Sequence, residues 1–269
     1  MFLSATLSLS HRRPFRLRLP IVQRWISPLG FILLWEIGSR TGAIPSHVLA
    51  APSAVLRTAW DMIVSGELPS NMLVSLGRAA TGLTLGVLLG STFAIVSGLT
   101  RAGENAFDPP LQMLRTLPSL ALTPLFIVWF GIGETPKIAL ITLGTLFPIY
   151  LNLFNGIRGV DPKLIEAARS LGLRGWDLIA NVILPGALPS FLLGLRYALA
   201  GSWLLLVVAE QINASAGLGY LVNNARDFSR TDVIVVCLIV YALLGLGADA
   251  IVRALERHAL AWRPSFIKS

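Results

Sequence analysis

The sequence predicts an all-α, polytopic membrane protein with about six transmembrane helices. Three observations carry that prediction. Of the 269 residues, 54% are hydrophobic and only 13% are charged, whereas a soluble domain is nearer to about a quarter charged. The apolar residues come in runs long enough to cross a bilayer. The basic residues gather on alternate connecting segments, as the positive-inside rule requires. The net charge of +8 would suggest nucleic acid in a soluble protein. Here it belongs to the loops, so the expected surroundings are a lipid bilayer, with no nucleic acid. The single cysteine, Cys237, lies in an apolar run and has no partner in the chain for a disulfide. His11, His47 and His258 are scattered without ligand spacing, and no metal site is expected.

Residues 1–20 carry His11-Arg12-Arg13-Pro14-Phe15-Arg16-Leu17-Arg18 and read as a basic cytoplasmic tail. The charges run directly into the apolar stretch Ile21–Gly38 with no small-residue cleavage site. The stretch is therefore read as a retained helix, not a secretory signal. It is the weakest span, because it contains Arg24 and Glu36. Residues 21–69 form a unit of this span and a periplasmic interfacial helix. Pro52-Ser53 can open that helix and Gly66 can end it. Leu56, Ala59, Trp60, Ile63 and Val64 share one face, with Arg57 and Asp61 opposite. Such a helix suits the membrane interface or packs against the bundle.

Residues 70–253 form the main transmembrane domain. In the span Met72–Thr100, Gly82, Gly86 and Gly90 repeat every four residues and Ala94 extends the row. A face nearly free of side chains lets another helix approach closely. Packing within one subunit is favoured here over a subunit or gating interface. Arg101, Glu104 and Asp108 read as a polar loop, with Pro109-Pro110 beginning the next helix. The span Leu111–Gly133 holds Pro118 and Pro124, each of which removes an intrahelical hydrogen bond. The freed carbonyls must face protein or a wet cavity. Both prolines are therefore candidates for a translocation path beside a broken helix. Lys137–Ile157 is a span kinked at Pro148, with Asn152 and Asn155 near its inner end.

Pro189 opens the span Ser190–Ile212, in which Gly194, Ala198 and Ser202 repeat every four residues. This span contains Arg196 and ends at Glu210. A polar segment to Arg230 comes next, with a turn read at Gly217-Leu218-Gly219-Tyr220. Asp232–Arg253 is the final span, and 254–269 is a basic cytoplasmic tail. Arg158, Lys163, Arg169, Arg174 and Arg257 then fall on the side of both termini, which places the N- and C-termini in the cytoplasm. Ionisable residues inside spans are functional candidates. Arg78, Arg196 and Glu210 join the candidate path, since an anionic substrate favours a cationic route. Snorkelling to the headgroups is the favoured reading for Arg78 and Arg115, and facing an outer vestibule is the simple reading for Glu210. Asp249 and Arg253, four apart, are expected to pair.

Between the fourth and fifth spans lies a polar, helical insert, 158–188. Asp161 is a good N-cap, and Pro162 is tolerated at the first helical position. Glu166-Ala167-Ala168-Arg169-Ser170-Leu171 continues the helix, and Gly172 is placed to turn its end. A second short helix, roughly from Trp176 to Ile183, is expected to stop at Pro185. Glu166, Ala167, Ala168, Gly172 and the ending Val182-Ile183-Leu184-Pro185 resemble the coupling loop of binding-protein-dependent ABC importer permeases. Val182 stands where that loop usually has isoleucine. Met113 to Pro118 and Trp129-Phe130-Gly131-Ile132-Gly133-Glu134 resemble the nitrate, sulfonate and taurine branch. Ile183 to Ser190, Asn223 to Phe228 and Thr231-Asp232-Val233 look like aliphatic sulfonate permeases.

The resemblance implies a type-1 importer fold, with five core helices per subunit and a peripheral first helix. It implies a pair of such subunits in the inner membrane, expected to be identical. It also implies two ATP-binding subunits holding ATP and Mg, and a periplasmic substrate-binding protein. Glu166, Ala167, Ala168, Arg169, Gly172, Leu173 and Pro185 would couple the ATPase to the spans. The chain itself has three lysines, Lys137, Lys163 and Lys268, and none follows a glycine. It therefore lacks a Walker A motif, and no cofactor or catalytic group is expected on it. Taurine, nitrate or a pyrimidine-type precursor remain alternative cargoes. A secondary transporter or channel is the alternative class.

Overall fold

A computed structural model describes residues 20–212 and 214–260, and the rest of both predicted tails lies outside that range. Among the described residues every regular element is helical. The centre is built from α3 (Glu67–Leu99), α6 (Thr135–Arg158) and α9 (Leu184–Gln211). These three pack on one another along most of their lengths. The glycine row explains how α3 and α6 come so close. A Cβ on Gly82 would lie 2.6 Å from Ile141, and one on Gly90 would lie 2.7 Å from the Leu146 carbonyl. The row therefore packs within the subunit. Gly156 and Gly194 do the same service between α6 and α9, where a Cβ would meet Ser190 and the Pro148 carbonyl respectively. Without a hydrophobic gain between lipid-solvated helices, this close contact is what holds them.

α4 (Arg101–Thr116) corrects the expected polar loop. Thr100 caps it by accepting from the Gly103 N–H at 3.0 Å. The helix runs through Pro109 and Pro110, which do not start it. The carbonyls these prolines leave unpaired belong to Asn105 and Ala106, both exposed, so no buried group is orphaned. Leu117 is extended, as the residue before a proline tends to be, and Pro118 leads a short 3-10 turn, Ser119–Leu122. Pro124 then sits in the first turn of α5 (Thr123–Phe130). The two prolines are thus a break and a start. They are not two kinks in one helix, and the axis turns by 92° between α4 and the segment Ser119–Phe130.

α7 (Pro162–Ser170) and α8 (Gly175–Leu178) form the insert. The expected stop at Pro185 is absent. α8 passes through a π-helical turn, Ile179–Ile183, straight into α9, giving one helix from Gly175 to Gln211. In the wide turn the Leu184 N–H reaches back to the Ile179 carbonyl. That widening gives the next residue, Pro185, room for its ring and leaves no donor wanted there.

α10 (Leu218–Asp227) replaces the predicted turn, with only Gly217 before it at φ +110°. α11 runs Thr231–Ala259, longer than the span read from sequence. α2 (Pro52–Val64) seats Val55 and Met62 against α10 and α11. Its Leu56, Trp60, Ile63 and Val64 stay exposed. Among the described residues, four helices are long and apolar enough to span a membrane, and α4 with α5 makes a bent fifth. α1 (Pro20–Arg40) has the length for a sixth but falls short in apolarity.

Candidate functional site

The insert is a capped corner. The Asp161 carboxylate accepts from the Lys163 N–H at 2.9 Å, which fixes the start of α7. At the other end Gly172 adopts φ +89°. Its N–H bonds the Arg169 carbonyl at 3.0 Å, and the Leu173 N–H bonds the Ala168 carbonyl at 3.1 Å. That crossed pair is a Schellman ending, which favours glycine at the turn. Glu166, Ala167, Arg169 and Pro185 are exposed, Leu173 is half-buried, and Ala168 packs inward. Leu171 is 83% exposed and Trp176 is 70% exposed. With Leu164, 58% exposed, three large apolar side chains of this polar insert stand in the open, an exposure of the kind found at protein–protein contacts.

A second cluster forms at the opposite end of the bundle, and here the structure corrects two readings. Arg78 does not snorkel, because it is 5% exposed. Glu210 faces no vestibule, because it is fully buried. Arg78 Nη1 donates to Glu210 Oε1 at 2.8 Å and to the Ala216 carbonyl at 2.6 Å. Its Nε and Nη2 edge makes a two-pronged bond to Glu134, with Nη2–Oε1 at 2.7 Å. Glu210 also accepts from the Ser75 hydroxyl at 2.7 Å, the Gly219 N–H at 2.8 Å and the Tyr241 hydroxyl at 3.2 Å. Ser75 accepts from the Leu218 N–H at 2.8 Å, and Asn71 from the Gly217 N–H at 2.7 Å. The start of α10 therefore points its free N–H groups at a carboxylate and its supports, where a negative charge is favoured. A Cβ on Gly217 would strike Glu210 Oε1 at 2.5 Å and Arg78 Nη1 at 2.6 Å, so the site needs glycine there.

Lys137, on α6, adds a second cation. Its Nζ lies 3.1 Å from Glu134 Oε1. Two cations and two carboxylates leave the cluster neutral, which is what makes burying it tolerable. Glu134, 52% exposed on the side chain, is the open member. The Arg78 guanidinium holds its carboxyl below the usual glutamate value.

Arg196 is not part of this cluster. It lies in the other half of the bundle, 2.6 Å from Glu256 and 3.8 Å from Asp249. Asp249 pairs with Arg253 as its spacing predicts. Arg115 is exposed. Pro118 and Pro124 sit at the break between α4 and α5 and take part in none of these bonds. Glu134, Lys137, Ser75 and Asn71 were missed as site residues. One signal could have found Glu134: the predicted topology brings it to the same membrane face as Arg78 and Glu210, with complementary charge.

Comparison with known proteins agrees with this architecture. The chain is 47% identical over 245 residues to the aliphatic sulfonates transport permease protein SsuC of Escherichia coli (strain K12), covering 91% of this chain and 93% of that one. It is 45% identical over 255 residues to the SsuC protein of Bacillus subtilis (strain 168), covering 95% and 92%. Among solved structures, a chain of an amino acid ABC transporter crystallised with histidines superposes with a TM-score of 0.62. That match covers 74% of this chain and 97% of the other at 19% identity, so it speaks to the fold. The family model of the binding-protein-dependent transport system inner membrane component matches residues 82–260, and the chain belongs to that family.

Proposed function

We propose that this chain is the permease subunit of an ATP-driven importer that carries aliphatic sulfonates across the cytoplasmic membrane by alternating access. The observation that carries the reading is identity along nine-tenths of the chain to a relative named for aliphatic sulfonates. The capped corner of the insert supports the energy-coupling half of it. Glu166, Ala167 and Arg169 lie on a helix whose start is fixed by the Asp161 side chain and whose end is fixed by the backbone turn at Gly172. Leu171 and Trp176 beside it supply apolar contact for a groove on an ATP-binding subunit.

Both termini and the insert face the cytoplasm in this reading, so the Arg78 cluster lies on the periplasmic side. Two copies of the chain pair in the membrane. Two separate ATP-binding subunits hold ATP and Mg, and a periplasmic substrate-binding protein delivers the cargo. ATP-driven closure brings the two inserts together. The spans answer by opening the periplasmic face to the loaded binding protein. Arg78, Glu210 and the α4–α5 break at Pro118 and Pro124 then border the path on that side. Arg196 tunes the opposite side through its acidic partners.

The test uses a strain stripped of sulfonate uptake and given this chain with its ATP-binding and substrate-binding partners. Growth on ethanesulfonate as sole sulfur source is expected. No growth on ethanesulfonate, with growth on sulfate intact, refutes the sulfonate cargo. Growth on taurine alone reassigns it.

A further inference from the structure

We propose that Arg78 and Lys137 form an anion site on the transport path, in which the Glu134 carboxylate stands in for the headgroup of the transported anion. The inference rests on the import reading above and names the groups that would meet the cargo. The ligand it fits is a monovalent anion with three acceptor oxygens, such as a sulfonate.

The first support is a contrast in burial. Arg78 and Lys137 are both more than nine-tenths buried, while the carboxylate they share is half exposed. The second is a contrast in anchoring. Glu210, the other acid, is fixed by Ser75, Tyr241 and the start of α10, and it holds the Nη1 side of Arg78 in place. Among the described residues Glu134 accepts only from the two cations. It follows Gly131, at φ +75°, and Gly133, on the turn between α5 and α6. Neither glycine would bring a Cβ within 4 Å of anything, so this turn is not wedged by packing.

The third support is an incomplete shell on Lys137. An ammonium has three N–H donors. Among the described residues Lys137 uses one of them, on Glu134. The side chain lines a small cavity of about 20 Å3 with Thr123, Gly133, Pro136 and Ala209, room on the order of one water. The bonding pattern shows what is wanting. Glu134 Oε1 is shared between Arg78 Nη2 and Lys137 Nζ, because a carboxylate has only two oxygens for three donors. A sulfonate would place two oxygens on the Nε and Nη2 edge of Arg78 and leave the third to Lys137. Paired N–H donors in that fork suit such an oxyanion.

Charge gives the same answer. When Glu134 swings out, Arg78, Lys137 and Glu210 together carry one positive charge. One monovalent anion restores neutrality, and a dianion overshoots it. Sulfonate entry and Glu134 exit are therefore one exchange, with no net charge left buried.

The experiment uses the purified permease–ATPase complex in lipid nanodiscs, with the binding protein omitted, and radiolabelled ethanesulfonate as probe. Glu134→Gln removes the competing carboxylate and is expected to tighten binding by about threefold or more. A misfolded variant cannot produce that gain. Lys137→Met is expected to weaken binding by about tenfold, and Lys137→Arg to recover much of it. Nitrate is expected to compete and propionate, with two oxygens, to compete weakly. Propionate competing as well as unlabelled ethanesulfonate overturns the three-oxygen site. Equal binding by wild type, Glu134→Gln and Lys137→Met overturns the proposal. So does no binding to any of them while the complex with its binding protein still imports ethanesulfonate. A complete system that imports no sulfonate strikes instead at the function on which the proposal rests.

Discussion

Gly86→Ala probes the contact on which the bundle depends. A methyl at Gly86 would overlap Thr145 Oγ1 and lie 2.9 Å from the Thr142 carbonyl. Rotating Thr145 relieves the first clash, at the expense of its bond to the Ile141 carbonyl at 2.9 Å. The second clash is with backbone, so α3 and α6 must part. Overpacking of this kind costs about 1–3 kcal/mol, and alanine's better helix propensity returns up to about 1 kcal/mol. With contacts on both Thr145 and backbone closer than 3.0 Å, the cost falls in the upper part of that range, about 2–3 kcal/mol. The net loss of about 1–2 kcal/mol corresponds to a fall in Tm of roughly 2–8 °C at this chain length. Gly77→Ala is the matched control on the same helix, where a Cβ meets nothing within 4 Å. It should leave Tm unchanged or raise it. The buried Cys237, the only cysteine, serves as the reporter, because a thiol-reactive dye labels it only as the detergent-solubilised protein opens on heating. Adding Thr145→Ala should recover part of the loss and not all of it, since the Thr142 carbonyl and the Cβ of residue 145, each 2.9 Å away, remain. If Gly86→Ala melts no lower than Gly77→Ala, the close approach of α3 to α6 is refuted.

Gly172→Val should leave the protein in the membrane but abolish substrate-stimulated ATPase. The backbone at φ +89° resists a branched side chain by about 1–2 kcal/mol although space is open around it. Full stimulation in the variant would refute the coupling corner. Asp161→Ala should weaken the start of α7 by about 1 kcal/mol, read as faster amide exchange at Lys163 and its neighbours. Glu210→Ala leaves Arg78 buried beside an empty place and should destabilise by about 3–5 kcal/mol, seen as early labelling of Cys237. Acid should loosen the Glu134 pair. Its carboxyl is lowered in the folded protein, so the stabilisation is present above the ordinary glutamate value and fades as pH falls through the lowered one. Glu134→Gln should flatten that acid limb of a Tm–pH profile.

Local chemistry in this chain is readable from sequence, and distant chemistry is not. The cap at Asp161 and the turn at Gly172 depend on residues within one helix, so spacing alone locates them. The glycine row on α3 announces a close neighbour without saying which. Pro185 misleads because its usual effect is cancelled by a π turn, and a π turn has no reliable signature in residue types. Pro109 and Pro110 mislead in the same direction, since exposed carbonyls tolerate them inside a helix. Arg78 is the clearest case of all. Position in a span suggests an arginine reaching for the interface. Its partners lie 56 and 132 residues further along the chain, and only folding reveals that they enclose it.

The unbroken helix from Gly175 to Gln211 joins regions at opposite ends of the bundle. At about 1.5 Å per residue its 37 residues make a rod of roughly 55 Å. One tip carries the exposed Trp176, and the other carries Glu210, locked against Arg78. In the proposed coupling, a displacement of the first tip would reach the second as a lever delivers it, through covalent structure and not through a relay of side chains. The π turn near the Trp176 tip is the joint at which such a lever would flex. Straightening or stiffening that joint would alter how far such a stroke travels without touching either end.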